Sequence, residues 1–111
     1  MECVFCKIIS KEIPSEIVYE DENFLAFKDI QPIAPVNILI IPKKHIPAID
    51  HIELYDKELI GGLFLAAKEI ARVQNVSENG YRLIFNIGED AGQTVDHLHL
   101  HLLGGKKLTW S

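Results

Sequence analysis

The stretch His97-Leu98-His99-Leu100-His101-Leu102-Leu103 alternates polar and apolar side chains, the period of an extended strand whose successive residues face opposite sides. This period predicts a strand over Val95 to Leu103, with His97, His99 and His101 on one face and Leu98, Leu100 and Leu102 on the other. Such a leucine face has to be covered by a second layer. Three of the chain's five histidines fall in this row. Alternation alone also fits a plain solvated face, but threonine, lysine or glutamate would fill that role equally well. Neighbours two apart on a strand are separated by roughly 6.6 Å and the outer two by about 13 Å, which disfavours one metal ion shared by all three. A pair with a metal remains, or a division of labour in which one imidazole attacks and its neighbours place charge or protons. The second is the favoured reading.

The rest of the chain supplies partners for this strand. Phe5 to Ser10 reads as a brief helix that Ile13-Pro14 breaks. Ile17-Val18-Tyr19, the turn Asp21-Glu22-Asn23 and Phe24 to Phe27 then read as a hairpin. Val36 to Ile41 is an apolar, β-branched run that reads as a central strand covered on both faces. From Asp56 the period changes: Leu59, Leu63, Ala66, Ala67, Ile70 and Val73 recur at helical spacing up to about Asn75. Gly61 and Gly62 each cost this helix roughly 1 kcal/mol relative to alanine, which close packing against a sheet or partner helix would explain. Tyr81 to Ile87 reads as another strand and Gly88 to Thr94 as a loop. The sum is an α+β fold with a mainly antiparallel sheet.

With 111 residues and 48% hydrophobic content, the chain suits one compact domain over 1–111. No stretch resembles a signal peptide or is long enough to span a bilayer, so the expected location is cytoplasmic, with no membrane partner. A net charge of -5 and only 11 basic residues disfavour a broad nucleic-acid footprint. They leave room for a small phosphorylated ligand. The glycines of the Gly88 to Thr94 loop allow close approach of an anion to the backbone, and Gln93 and Thr94 add donors beside the histidine row; an ordinary strand connection has the same composition. The only cysteines, Cys3 and Cys6, are spaced for metal or redox chemistry.

The histidine row, together with Phe27-Lys28-Asp29-Ile30, Ala34-Pro35, Ile41-Pro42-Lys43-Lys44-His45, Tyr81-Arg82, Asn86, Gly92-Gln93-Thr94-Val95, Gly104-Gly105 and Trp110, resembles the histidine triad superfamily, in particular its Hint branch. The resemblance runs from Phe5 to Trp110. It implies a five-stranded, mainly antiparallel sheet with one long helix and a short N-terminal helix, the sheet continuing across a homodimer. It implies hydrolysis of purine nucleoside phosphoramidates without an organic cofactor: His99 would attack phosphorus and form a nucleotidyl-imidazole. His101 would stabilise the phosphate, with Gln93 and Thr94 near the scissile nitrogen and Gly92, Val95 and Asn86 around the phosphate site. Thr94 stands where many relatives have serine. By the same resemblance Asp29 would bind the ribose hydroxyls, and Phe5, Ile13, Phe27, Ile30 and Leu39 would line the base pocket. Each of those apolar residues fits a plain core position as well. Trp110 would lie near the partner's active site. Asp96 replaces a tyrosine common in animal relatives, a change with no functional account.

Cys3, Cys6, His45 and His97 form a Cys2His2 set from three separate segments, which zinc accepts tetrahedrally. Similar sets occur in some members of the superfamily and imply a structural zinc that leaves His99 free. The alternative makes the cysteines small hydrophobes and His45 a core partner. Two further functions stay open: a dinucleoside polyphosphate hydrolase, and a nucleotide-binding regulatory module without catalysis.

Overall fold

The centre of the fold is the run Val36–Pro42 (strand β3), which is apolar on both faces and therefore needs cover on both. In the computed structural model, which describes residues 3–109, that cover comes from two helices on opposite sides of one sheet. The elements in chain order are helix α1 (Val4–Ile9), strands β1 (Ile17–Glu20) and β2 (Phe24–Lys28), β3, helix α2 (Lys57–Val73), and strands β4 (Tyr81–Ile84) and β5 (Leu100–Gly104). The sheet order is β1-β2-β3-β5-β4, and every neighbouring pair is antiparallel. The domain is thus α+β, with the five strands and the long and short helices that the sequence suggests.

On one face, Ile38 and Ile40 of β3 join Phe24, Ala26, Leu100 and Leu102 against Leu63, Ala66, Ala67, Ile70 and Ala71 of α2. On the other, Leu39 and Ile41 join Leu25, Phe27, Phe5 and Ile8, so α1 caps the histidine face. Just before α2, the Asp56 carboxylate accepts the Glu53 N–H at 3.0 Å and the Lys44 ammonium at 2.5 Å, which fixes the turn from which the helix starts. The two helix glycines differ. A side chain on Gly62 would meet the Phe24 ring at 3.3 Å, whereas one on Gly61 would meet nothing within 4 Å. Close packing accounts for the first glycine only.

Two strands are shorter than their sequence pattern. β5 covers Leu100–Gly104 and not Val95 to Leu103, because the chain bends over 95–97 and the Leu98 N–H leaves the ladder to reach the Ile46 carbonyl at 2.6 Å. His97 and His99 therefore precede the strand, and the three histidines do not share one pleated row. The leucine side of the pattern holds: Leu98, Leu100 and Leu102 are all buried. β4 ends at Ile84 and not at Ile87, although the Phe85 ring still packs on Phe64 of α2, centroids 6.1 Å apart. In the Gly88 to Thr94 loop, Gly88 and Gly92 both sit at φ 83°, a backbone region that favours glycine. Trp110 lies outside the described residues. Among those described, no helix is long and apolar enough to cross a membrane.

Candidate active site and metal cluster

The register of the sheet aligns Phe27 of β2, Leu39 of β3 and His101 of β5 across the face opposite α2. The bend before β5 then sets the His99 ring beside His101, with centroids 5.0 Å apart. Phe5 of α1 meets the His99 ring edge-on at 5.2 Å and the Phe27 ring at 5.4 Å. The nucleophile expected from the resemblance is therefore packed from below and from one side.

His99 is 7% exposed, and its Nδ1–H donates to the backbone carbonyl of His97 at 2.7 Å. A proton held on Nδ1 selects the tautomer whose lone pair is on Nε2, so that nitrogen is the one directed away from the backbone. His101 is half-buried and has no hydrogen-bond partner among the described residues, so both of its nitrogens remain available. Burial holds its pKa below the ordinary imidazole value, the nearby His99 adds to this, and the charge of Asp29 opposes it.

His97 has a different job. It is fully buried, and its Nε2–H donates to the Pro42 carbonyl at 2.8 Å, which turns the Nδ1 lone pair towards Cys3 Sγ at 3.4 Å, Cys6 Sγ at 3.6 Å and His45 Nδ1 at 3.1 Å. Cys6 Sγ is also 3.4 Å from His45 Nδ1. A tetrahedral zinc, with bonds of about 2.3 Å to sulfur and about 2.0 Å to nitrogen, sets its ligands roughly 3.3–3.8 Å apart. These four separations match that spacing to within a few tenths of an ångström, and all the ligand atoms lie within 4.8 Å of one another. The protonation chemistry also suits a cation. Burial holds His97 below the ordinary imidazole value against the pull of its Pro42 bond. Burial and the neighbouring Cys3 thiol push Cys6 up to about 11, so this thiol needs a bound cation to ionise near neutrality. The cluster can hold a metal ion.

The remaining expected site residues divide. Asp29 stands opposite Asn37 at the next step of the register, its N–H donating to the Asn37 carbonyl at 3.0 Å. One carboxylate oxygen accepts the Gln31 N–H at 3.0 Å, and the other meets no donor among the described residues. Ile13 and Val95 are half-buried against the Phe5, Phe27 and Leu39 cluster, so the structure brings these five apolar residues together. Ile30 is not among them, being 93% exposed in the turn after β2. Gln93 braces its own loop: its side-chain oxygen accepts the Gly88 N–H at 2.9 Å, and its amide nitrogen donates to Pro47 at 2.8 Å and Val95 at 3.0 Å. Its side chain is committed to the backbone and is not a free donor. Thr94 is exposed and carries no hydrogen-bond partner among the described residues. It borders a cleft of about 730 Å³ with Ile13, Val95, Asp96, Cys3 and His45. Asn86 is half-buried just past β4, and Gly92 donates its N–H to Glu89 at 3.0 Å.

Sequence reasoning passed over Asn37. It is buried, lies on the histidine face of β3, and its Oδ1 meets no partner among the described residues. The available signal was a single amide within the otherwise apolar run Val36 to Ile41.

The chain matches the HIT domain family over residues 10–108. It is 49% identical over 109 residues to an uncharacterised HIT-like protein of Synechocystis sp., covering 98% of this chain and 95% of that one. Among solved structures, it is similar to a HIT family hydrolase from Legionella pneumophila, with a TM-score of 0.96, 51% identity and coverage of 98% and 97% of the two chains. A histidine triad nucleotide-binding protein from Candida albicans matches with a TM-score of 0.85 and 35% identity, over 99% of this chain and 83% of that one.

Proposed function

The chain belongs to the HIT domain family, and from that premise we propose that it hydrolyses purine nucleoside phosphoramidates by covalent catalysis on His99. The observation that carries the proposal is the 2.7 Å bond from His99 Nδ1–H to the His97 carbonyl, which directs the Nε2 lone pair outward. Nε2 attacks phosphorus, the P–N bond breaks, and the amine leaves with a proton. A water molecule then attacks the phosphorus of the nucleotidyl-histidine, releasing the nucleoside monophosphate and restoring the imidazole. His101, whose ring nitrogens meet no partner among the described residues, hydrogen-bonds the phosphate oxygens as their charge grows. Thr94, whose hydroxyl meets no partner among the described residues, supplies the proton path to the departing amine.

Asp29 offers a ribose hydroxyl the carboxylate oxygen that no described residue engages, and Phe5, Ile13, Phe27 and Leu39 offer the apolar wall for the base. Cys3, Cys6, His45 and His97 would hold a structural zinc, which when bound anchors the His97 segment. We also propose a homodimer formed through the outer edge of β4, an edge strand flanked by the exposed side chains of Phe64 and Ile87. The test is turnover of adenosine phosphoramidates by wild type and His99→Ala. Expected is loss of at least about a thousandfold in kcat, the scale typical of a removed nucleophile. Equal rates would sink the mechanism, and a clear preference of the wild type for Ap4A would move the substrate class to dinucleoside polyphosphates.

A further inference from the structure

We propose that Cys3 and Cys6 form a reversible disulfide that dismantles the four-residue cluster and displaces His99, making α1 a relay from thiol oxidation to the reactive imidazole. Three observations meet here, none of which depends on the bond that His99 cleaves. Cys3 is the N-cap of α1, and its sulfur accepts the Cys6 N–H at 3.3 Å. The two sulfurs also lie 3.4 and 3.6 Å from the same nitrogen, His97 Nδ1, and within 4.8 Å of each other, a gap that side-chain rotation can close. Cys3 also has an approach route, since with His45 it borders the cleft of about 730 Å³. A small hydroperoxide fits that opening.

The consequence travels through two contacts. Phe5 lies between the two cysteines in sequence and rests on the rings of both His97, at 6.0 Å, and His99, at 5.2 Å. His97 holds the cysteine sulfurs through Nδ1 and holds His99 through its carbonyl. Bonding the sulfurs to each other removes two of four ligands, frees His97 Nδ1, and tightens the turn that carries Phe5. The chemistry balances with one hydroperoxide as oxidant. The Cys3 thiolate attacks the O–O bond to give a sulfenic acid and one molecule of water or alcohol. The Cys6 thiolate attacks that sulfur and expels hydroxide, which leaves as water. Two sulfurs lose two electrons in all, the peroxide gains them, solvent supplies two protons, and any metal departs with its charge unchanged.

The experiment treats the reduced, zinc-loaded full chain with one equivalent of hydrogen peroxide. It follows intact mass, zinc release to a chromogenic chelator, and the His99 Nδ1–H resonance. Expected are a mass loss of about 2 Da, zinc release in step with it, and a displaced His99 resonance, all reversed by dithiothreitol. Turnover should fall at least about tenfold over the same course, the scale of losing a group that orients a site residue. A mass gain from sulfinic or sulfonic acid without a disulfide would overturn the proposal. So would a disulfide that leaves zinc bound, or one that leaves the His99 resonance in place.

Discussion

At the scale of single residues, the three histidines are made different by what each spare ring nitrogen touches. The Pro42 carbonyl holds Nε2 of His97, the His97 carbonyl holds Nδ1 of His99, and nothing described holds either nitrogen of His101. His101 gives a pH prediction. Its folded pKa lies below the unfolded value through burial and then His99, with Asp29 opposing. Between the two values the unfolded chain binds more protons, so stability falls as pH drops from the ordinary imidazole value of about 6.5 through the folded one. Thermal unfolding from pH 7 to pH 5 should therefore slope more gently in His101→Gln than in wild type; an unchanged slope would refute the assignment. Much of this site was legible in the sequence, since the positions of His97, His99, His101, Cys3, Cys6 and His45 are all where chemistry converges. Gln93 was not, because composition marks an amide as a donor without saying what it already bonds. Ile30 was not either, because an apolar letter in a turn carries no sign of its exposure.

At the scale of elements, period and burial agree wherever a segment is regular. α2 gives the clearest contrast. Leu63 is fully buried in the layer beneath β3, and Leu63→Ala should cost about 2–5 kcal/mol by opening a cavity. Two residues earlier, a methyl group on Gly61 meets no atom within 4 Å, so Gly61→Ala should stabilise by roughly 0.5–1 kcal/mol through helix propensity. Urea unfolding of both variants checks the pair, and a destabilised Gly61→Ala would show that this face is covered in solution. The strand ends were less legible. A period of two runs unbroken from Val95 to Leu103, yet the ladder begins only at Leu100. The bend arises from long-range partners, Ile46 for the backbone and Pro42, Cys3 and Cys6 for the ring of His97. Local periodicity contains none of these.

At the scale of the whole molecule, one sheet separates two jobs: the α2 face supplies most of the core, and the α1 face carries the histidines. If the outer edge of β4 pairs with a second copy, sedimentation should give twice the chain mass, and a monomer at micromolar concentration would refute the dimer. Metal removal tests the other face. Chelation should lower the thermal midpoint and free both thiols to alkylation, while a midpoint indifferent to chelator and added zinc would refute a structural ion. The cluster also matters to the chain before it folds. Cys3 and His97 stand 94 positions apart in sequence, so an ion that grips both ties nearly the entire polypeptide into a ring. Closing a loop of that length in the denatured ensemble removes entropy worth about 4–5 kcal/mol when the link is covalent. A metal that survives denaturation would thus act on the disordered chain in the same sense, shrinking its freedom and shortening the search that brings the two ends of the sequence together.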